Sequence, residues 1–170
     1  MNKKFLLLAI LLIFTLAAFA GCAENGGASV TAPAPTGPAA ALVPAEGWTQ
    51  NKGYTYPLYN RQYAAFSSSI SVTAANGSHD PRAYALNDQQ NIKKAYADAV
   101  FGDITDITAG GMAAAEYTWT GSQDGAEIKC RYVYVTDGTN IYIIKCVSAA
   151  ATFDADNIDY QAMIDSFIIS

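Results

Sequence analysis

The stretch from Ala126 to Ser148, AEIKCRYVYVTDGTNIYIIKCVS, restricts the fold more than any other part of the chain. Residues 126–135 and 140–148 are rich in β-branched and aromatic side chains, and Asp137-Gly138 between two such runs predicts a β-hairpin. Side chains alternate with a period of two, so the register can be tested by asking which pairing keeps each face uniform. Pairing Cys130 with Cys146 puts Tyr132 opposite Ile144 and Tyr134 opposite Tyr142. Arg131, Val133 and Val135 then face Lys145, Ile143 and Ile141 on the other side. That register needs an odd-length loop centred on Gly138, which a type I turn plus a glycine bulge supplies; a two-residue loop at Asp137-Gly138 would set Cys130 against Lys145. Directly opposed Cα atoms lie roughly 4.5–5.5 Å apart, within disulfide reach. A Cys130–Cys146 disulfide is therefore expected in an exported chain, stabilising it by about 3 kcal/mol. Two buried free thiols are the alternative. Both faces of the hairpin are apolar near the turn, so the sheet is expected to be covered on both sides by helices or long loops.

The N-terminus sets the compartment. Lys3 and Lys4 precede an almost unbroken apolar run, Phe5 to Phe19, which reads as a signal peptide over residues 1–21. Phe19-Ala20-Gly21-Cys22 resembles the lipobox of bacterial lipoproteins, with Cys22 the lipidated residue. Ala18-Phe19-Ala20 also suits ordinary signal peptidase and a secreted product, and a retained membrane anchor is a third reading. Of three cysteines, one lipidated and two in a disulfide leave none over. Loss of Lys3 and Lys4 reduces ten basic residues to eight, against fifteen acidic ones, a formal charge of −7. No basic stripe survives, and nucleic acid is not an expected partner. Residues 22–46, the lipidated Cys22 followed by a run rich in Ala, Gly, Pro and Thr with few large apolar side chains, are expected to be a disordered tether reaching roughly 80 Å when extended. One domain, 47–170, remains.

Within it, Tyr54–Tyr59 and Ser69–Ala74 are predicted strands, and Asn76-Gly77 and Asp80-Pro81 are predicted breaks. A helix is expected from an N-cap at Asn87 to Gly102, with Leu86, Ile92, Tyr96, Ala99 and Val100 on its apolar face. Strands at 104–108 and 112–120 lead into the hairpin. A closing helix is expected to be capped by Asp154, Asp156 or Asn157, with Ile158, Ala162, Met163 and Phe167 apolar.

The segment 104–170 resembles the PsbP-like family, the fold of an extrinsic photosystem subunit and of a Ran-GTPase-binding import factor. The likeness rests on the glycine-led strand GMAAAEYTWTGS, the return strand TNIYIIKCVS, Phe153, and a last helix ending in Asp165-Ser166-Phe167. It covers about half of the mature chain. It implies an α+β fold: an antiparallel β-sheet with helices packed on both faces, an α-β-α sandwich. Many members carry a tyrosine-rich strand ending in Pro-x-x-Trp. Here Tyr56-Pro57 is followed by Leu58-Tyr59-Asn60, without the tryptophan. The resemblance implies binding and assembly roles rather than one shared chemistry.

Candidate chemistry is sparse. His79 is the sole histidine, and adjacent Ser78, His79 and Asp80 cannot adopt triad geometry. Asp154-x-Asp156-Asn157-x-Asp159 has the rhythm of a calcium loop, but Asp159 stands where glycine is needed, and helix capping explains it better. Asp103 and Asp106 are further acidic candidates. Trp48, Tyr54, Tyr56 and Tyr59, with Tyr63, are read chiefly as core; exposed, they would form a surface for a glycan or small ligand. The expectation is a non-catalytic lipoprotein without cofactor or metal. It sits outside the cytoplasm, anchored through Cys22, and serves a membrane or envelope protein partner; a ligand receptor using the aromatic cluster is the alternative.

Overall fold

In a computed structural model, residues 39–77 and 80–169 are described. They all belong to one compact unit. The signal peptide, Cys22, the tether to residue 38 and His79 lie outside the described residues.

The strands are β1 (Ala40–Ala41), β2 (Thr49–Gln50), β3 (Leu58–Gln62), β4 (Ser67–Asn76), β5 (Val100–Phe101), β6 (Thr105–Ala109), β7 (Met112–Gln123), β8 (Ala126–Thr136), β9 (Asn140–Ala149) and β10 (Ile168–Ile169). Helix α1 runs Pro81–Ala95 and α2 runs Phe153–Asp165. An eight-stranded antiparallel sheet has the order β2-β3-β4-β9-β8-β7, with β5 and β6 both pairing on the far side of β7; β1 and β10 form a separate pair. Mostly antiparallel strands with two helices make this an α+β fold.

The predicted hairpin is present, one register away from the expected one. Cys130 pairs with Val147 and Arg131 with Cys146. The cause is the turn. Gly138, at φ +86°, leads a two-residue turn with Thr139, the position where a type II′ turn needs glycine. Asp137 flanks that turn instead of forming its centre: its Oδ1 accepts from the backbone N–H of Thr139 (2.7 Å) and Asn140 (2.6 Å). A slip of one residue sends a side chain to the other face, so the two cysteines point to opposite sides of the sheet. The expected disulfide is absent. Cys130 and Cys146 are buried free thiols.

Two core clusters follow the same alternation. Ile128, Cys130, Tyr132 and Tyr134 of β8 pack with Ala85 and Ile92 of α1 and with Tyr117 and Trp119 of β7. Val133 and Val135 of β8, with Tyr142, Ile144 and Cys146 of β9, pack with Tyr160, Met163 and Ile164 of α2.

Four boundaries differ from expectation. Ala40 and Leu42 are buried, and Ala40 and Ala41 pair with Ile169 and Ile168, so the folded part reaches back into the predicted tether. The strand predicted at Tyr54 begins at Leu58. Helix α1 starts at Pro81, because Asp80 is its N-cap, accepting from the Ala83 N–H at 2.9 Å, with proline in the first turn where no N–H is needed. Helix α2 starts at Phe153 behind Thr152 with no side-chain cap, and Ile158, expected in the core, is 74 % exposed.

Candidate functional site

An open groove of about 490 Å³ runs along one flank of α1. Helical spacing creates it. Ala85 and Ile92 are turned into the core, which sets Leu86, Gln89, Gln90, Lys93 and Lys94 on the adjoining stripe. Ala99 and Phe101 supply the opposite wall from β5 and the connection before it. The lining combines Leu86, Ala99 and Phe101 with two glutamines and two lysines, and among the described residues no carboxylate lines it. Leu86 is 54 % exposed, a large apolar side chain left facing solvent at the groove.

The support beneath is aromatic. Phe101 lies edge-on to Tyr117, with ring centroids 5.9 Å apart, and 6.4 Å from Trp119, which in turn meets Tyr96 at 5.0 Å. Tyr134 donates to Asp88 of α1 at 2.6 Å, so its single proton is committed there. The 2.9 Å contact between the Tyr117 and Tyr134 hydroxyls is then donated by Tyr117. Burial pushes both phenols well above the ordinary tyrosine pKa, so they remain neutral donors. This chain of bonds fixes α1 against the sheet. The Lys93 ammonium gives one bond to the Ala99 carbonyl at 2.7 Å and ties the helix end to the opposite wall. Among the described residues, Trp119 Nε1 is the one buried side-chain polar atom without a partner.

A second polar centre lies in the other core cluster. Asp156 is fully buried on α2. Its Oδ2 accepts from Ser68 (2.6 Å) and Ser148 (2.8 Å), and its Oδ1 from Tyr63 (2.5 Å) and Arg61 (3.3 Å). Arg61 also reaches Asp159 at 2.6 Å and the Glu46 carbonyl at 2.6 Å, and lies over the Trp48 ring. The bond to Asp156, together with burial, raises the Tyr63 pKa. All acceptor capacity of this carboxylate is directed to side chains of β3, β4 and β9 and the loop after β3, which makes it a structural tie between sheet and helix. Arg131 forms another: it pairs with Glu116 and donates to Asn157 (3.2 Å) and Gln161 (2.8 Å) of α2.

The predicted site residues do not converge. Trp48 and Tyr59 are core, their polar atoms bonded to Asp159 and to the Leu42 carbonyl. Tyr56 is half-buried against the same cluster, and only Tyr54, 65 % exposed, is open. The four therefore do not form one aromatic surface. The acidic run does not form a calcium loop or a helix cap: Asp154 pairs with Lys129, while Asp156 and Asp159 are held as above. Asp106 pairs with Arg82. Among the described residues no three His, Cys, Asp or Glu side chains are placed to hold a metal ion. Nor is any described helix long and apolar enough to cross a membrane.

Sequence reasoning missed both the groove and the Asp156 centre. Asp80-Pro81, read as an N-cap with a first-turn proline, would have phased α1 correctly and left Leu86 outside. Asp156 was visible as a lone acid on the apolar stripe Phe153, Asp156, Tyr160, Met163 and Ile164.

The sequence matches no protein-family model and no curated protein. Solved structures share the fold. LpqN of Mycobacterium tuberculosis, described as involved in cell envelope biogenesis, superposes with a TM-score of 0.63 at 16% identity, over 80% of this chain and 86% of that one. The protein PA94 of Pseudomonas aeruginosa, a putative regulator of unknown function, gives 0.55 at 11% identity, over 71% and 96%. Cyanobacterial PsbP (CyanoP) of Synechocystis sp. PCC 6803 gives 0.56 at 10% identity, over 85% and 98%. At these identities the likeness is one of fold, and the fold is PsbP-like.

Proposed function

We propose that this chain is a non-catalytic binding module of a bacterial envelope, lipid-anchored through Cys22 outside the cytoplasm, and that it recruits an envelope protein through the α1 groove. The groove carries the reading: an exposed leucine and an apolar wall with two lysines at the rim have the makeup of a docking surface. The lipobox-like Phe19-Ala20-Gly21-Cys22 supports the anchor, and the fold shared with LpqN, whose description names cell envelope biogenesis, supports the setting. The two core clusters fit an α-β-α sandwich with one helix on each face, which leaves the outer flank of α1 free for a partner. The aromatic-cluster receptor loses its surface, because Trp48 and Tyr59 are buried.

A photo-crosslinking amino acid at Leu86, with one at exposed Ile158 as control, tests this in cells. The expected result is one envelope protein captured from position 86 and absent from 158. Identical capture at both positions, or none at 86 from abundant, membrane-associated protein, overturns the docking role. Cys22→Ser is expected to release the chain into the medium, and unchanged retention overturns the anchor.

A further inference from the structure

Resting on that binding role, we infer that the α1 groove takes an acidic protein segment bearing one large apolar side chain, the apolar group seated between Leu86 and Phe101 and the carboxylates on Lys93 and Lys94. The chain as a whole carries a formal charge of −5. Most described cations are already engaged. Arg61, Arg82, Lys129 and Arg131 each lie within 3.4 Å of a carboxylate, and Lys145 sits over the Tyr132 ring. Lys93 and Lys94 differ, as does Lys52 outside the groove. Lys93 and Lys94 are adjacent and both line the groove, no described acid lines it with them, and Asp98 outside the lining acts on Lys93 electrostatically without an ion pair. Lys93 uses one N–H on the Ala99 carbonyl, and an ammonium has three. Lys94 enters no ion pair among the described residues. On an acidic molecule, a cationic groove is where an anionic partner is attracted while the remaining surface repels it, which favours one docking geometry over others.

The apolar wall narrows the partner further. Small anions need no leucine and phenylalanine, and a plain apolar contact needs no cationic rim. A concave site also suits a protruding side chain better than a flat bilayer. Phe101 is in ring contact with Trp119, so a group seated on Phe101 should alter the emission of that tryptophan.

The test uses the full chain in neutral detergent and three short fluorescein-labelled, amidated peptides: glutamate-rich with one phenylalanine, its lysine counterpart, and the glutamate form with alanine for phenylalanine. The first is expected to bind with a change in tryptophan emission, the second not to bind, and the third to bind about tenfold more weakly. Lys93→Glu/Lys94→Glu is expected to lose about tenfold or more for the first peptide, and Leu86→Ala to weaken it with the salt dependence retained. Equal binding of the glutamate and lysine peptides, no binding of the first, or indifference to the double charge reversal overturns the inference. Phosphatidylglycerol vesicles that bind where phosphatidylcholine vesicles do not, and that displace the first peptide, assign the groove to a membrane surface and overturn it too. A Leu86 cross-link to an envelope protein that survives the double charge reversal leaves the binding role standing and removes only the acidic partner.

Discussion

Asp156 is the side chain whose replacement should reveal most about what holds this fold together. Four donors converge on it in a fully buried position: Ser68, Ser148, Tyr63 and Arg61. Asp156→Ala removes all four bonds at once and leaves the buried hydroxyls of Ser68 and Ser148 without that acceptor. Ser148 retains its contact with Tyr160, and Arg61 retains Asp159 and the Glu46 carbonyl, which limits the damage. Each stranded buried donor costs about 1–3 kcal/mol, and breaking a buried charged pair by removing one member costs about 3–5 kcal/mol. With partial rescue, Asp156→Ala should destabilise by about 4 kcal/mol, a large share of the 5–15 kcal/mol typical of a whole domain. Asp156→Asn keeps the shape and one acceptor oxygen, and a serine hydroxyl can rotate to accept from the new amide, so about 2 kcal/mol is expected. Urea unfolding followed by circular dichroism reads both as a lower midpoint with unchanged slope. Ser68→Ala should cost about 1 kcal/mol alone and less than that in the Asp156→Asn background, because the two share one bond. A loss below about 1 kcal/mol for Asp156→Ala, or full additivity with Ser68→Ala, would refute the role assigned to this carboxylate.

Other outcomes follow from the register and the turns. Burial pushes the Cys130 thiol up to about 12 and the Cys146 thiol higher still, so neither should react with an alkylating reagent at neutral pH until the chain is unfolded; a Cys130–Cys146 linked peptide in a non-reducing digest would contradict the register. Gly110→Ala would place a Cβ 1.8 Å from the Phe167 carbonyl oxygen, whereas Gly111→Ala meets nothing within 4 Å, although both glycines have positive φ. The first should lower the urea midpoint far more than the second, and equal losses would show that backbone conformation alone is responsible. Burial raises the Asp137 carboxyl, but the N–H groups of Asn140 and Thr139 and the side chains of Asn140 and Tyr142 outweigh it and hold the pKa below the ordinary value. Its contribution is thus present above the unfolded-state value of about 3.9 and lost as pH falls through the folded one. Asp137→Asn should flatten the acid limb of stability against pH, and an unchanged limb would remove Asp137 from that account.

How far the sequence could be read depended on whether local pattern or distant partners decided each feature. The long strands β7, β8 and β9 were legible because β-branched and aromatic runs between turn glycines have few other folds open to them. The exact pairing was not. It hung on whether Asp137 sat inside the turn or beside it, a choice made by two backbone hydrogen bonds to one carboxylate. Trp48 and Tyr59 were legible as core, yet their closeness to Asp159 and Leu42 comes from chain crossings that no short window records. The groove escaped because the apolar face of α1 was phased from Asn87; starting at Asp80 turns Leu86 outward.

The two-rung pairing of β1 with β10 has a mechanical consequence. In a chain held at Cys22 and pulled through its N-terminal side, tension enters the folded unit at Ala40. An antiparallel pair loaded from that end opens one rung at a time, Ala40 from Ile169 and then Ala41 from Ile168, rather than shearing as a block. The next restraints are also single bonds, from Tyr59 to the Leu42 carbonyl and from the Val43 N–H to Ser166. Beyond them the Arg61 hold on the Glu46 carbonyl and the buried Trp48 resist together. Residues 40–46 reach roughly 25 Å when fully extended, so that length less its folded span is released under load before the Arg61 and Trp48 restraints are drawn tight. A groove on α1 would keep its shape while the leash lengthened.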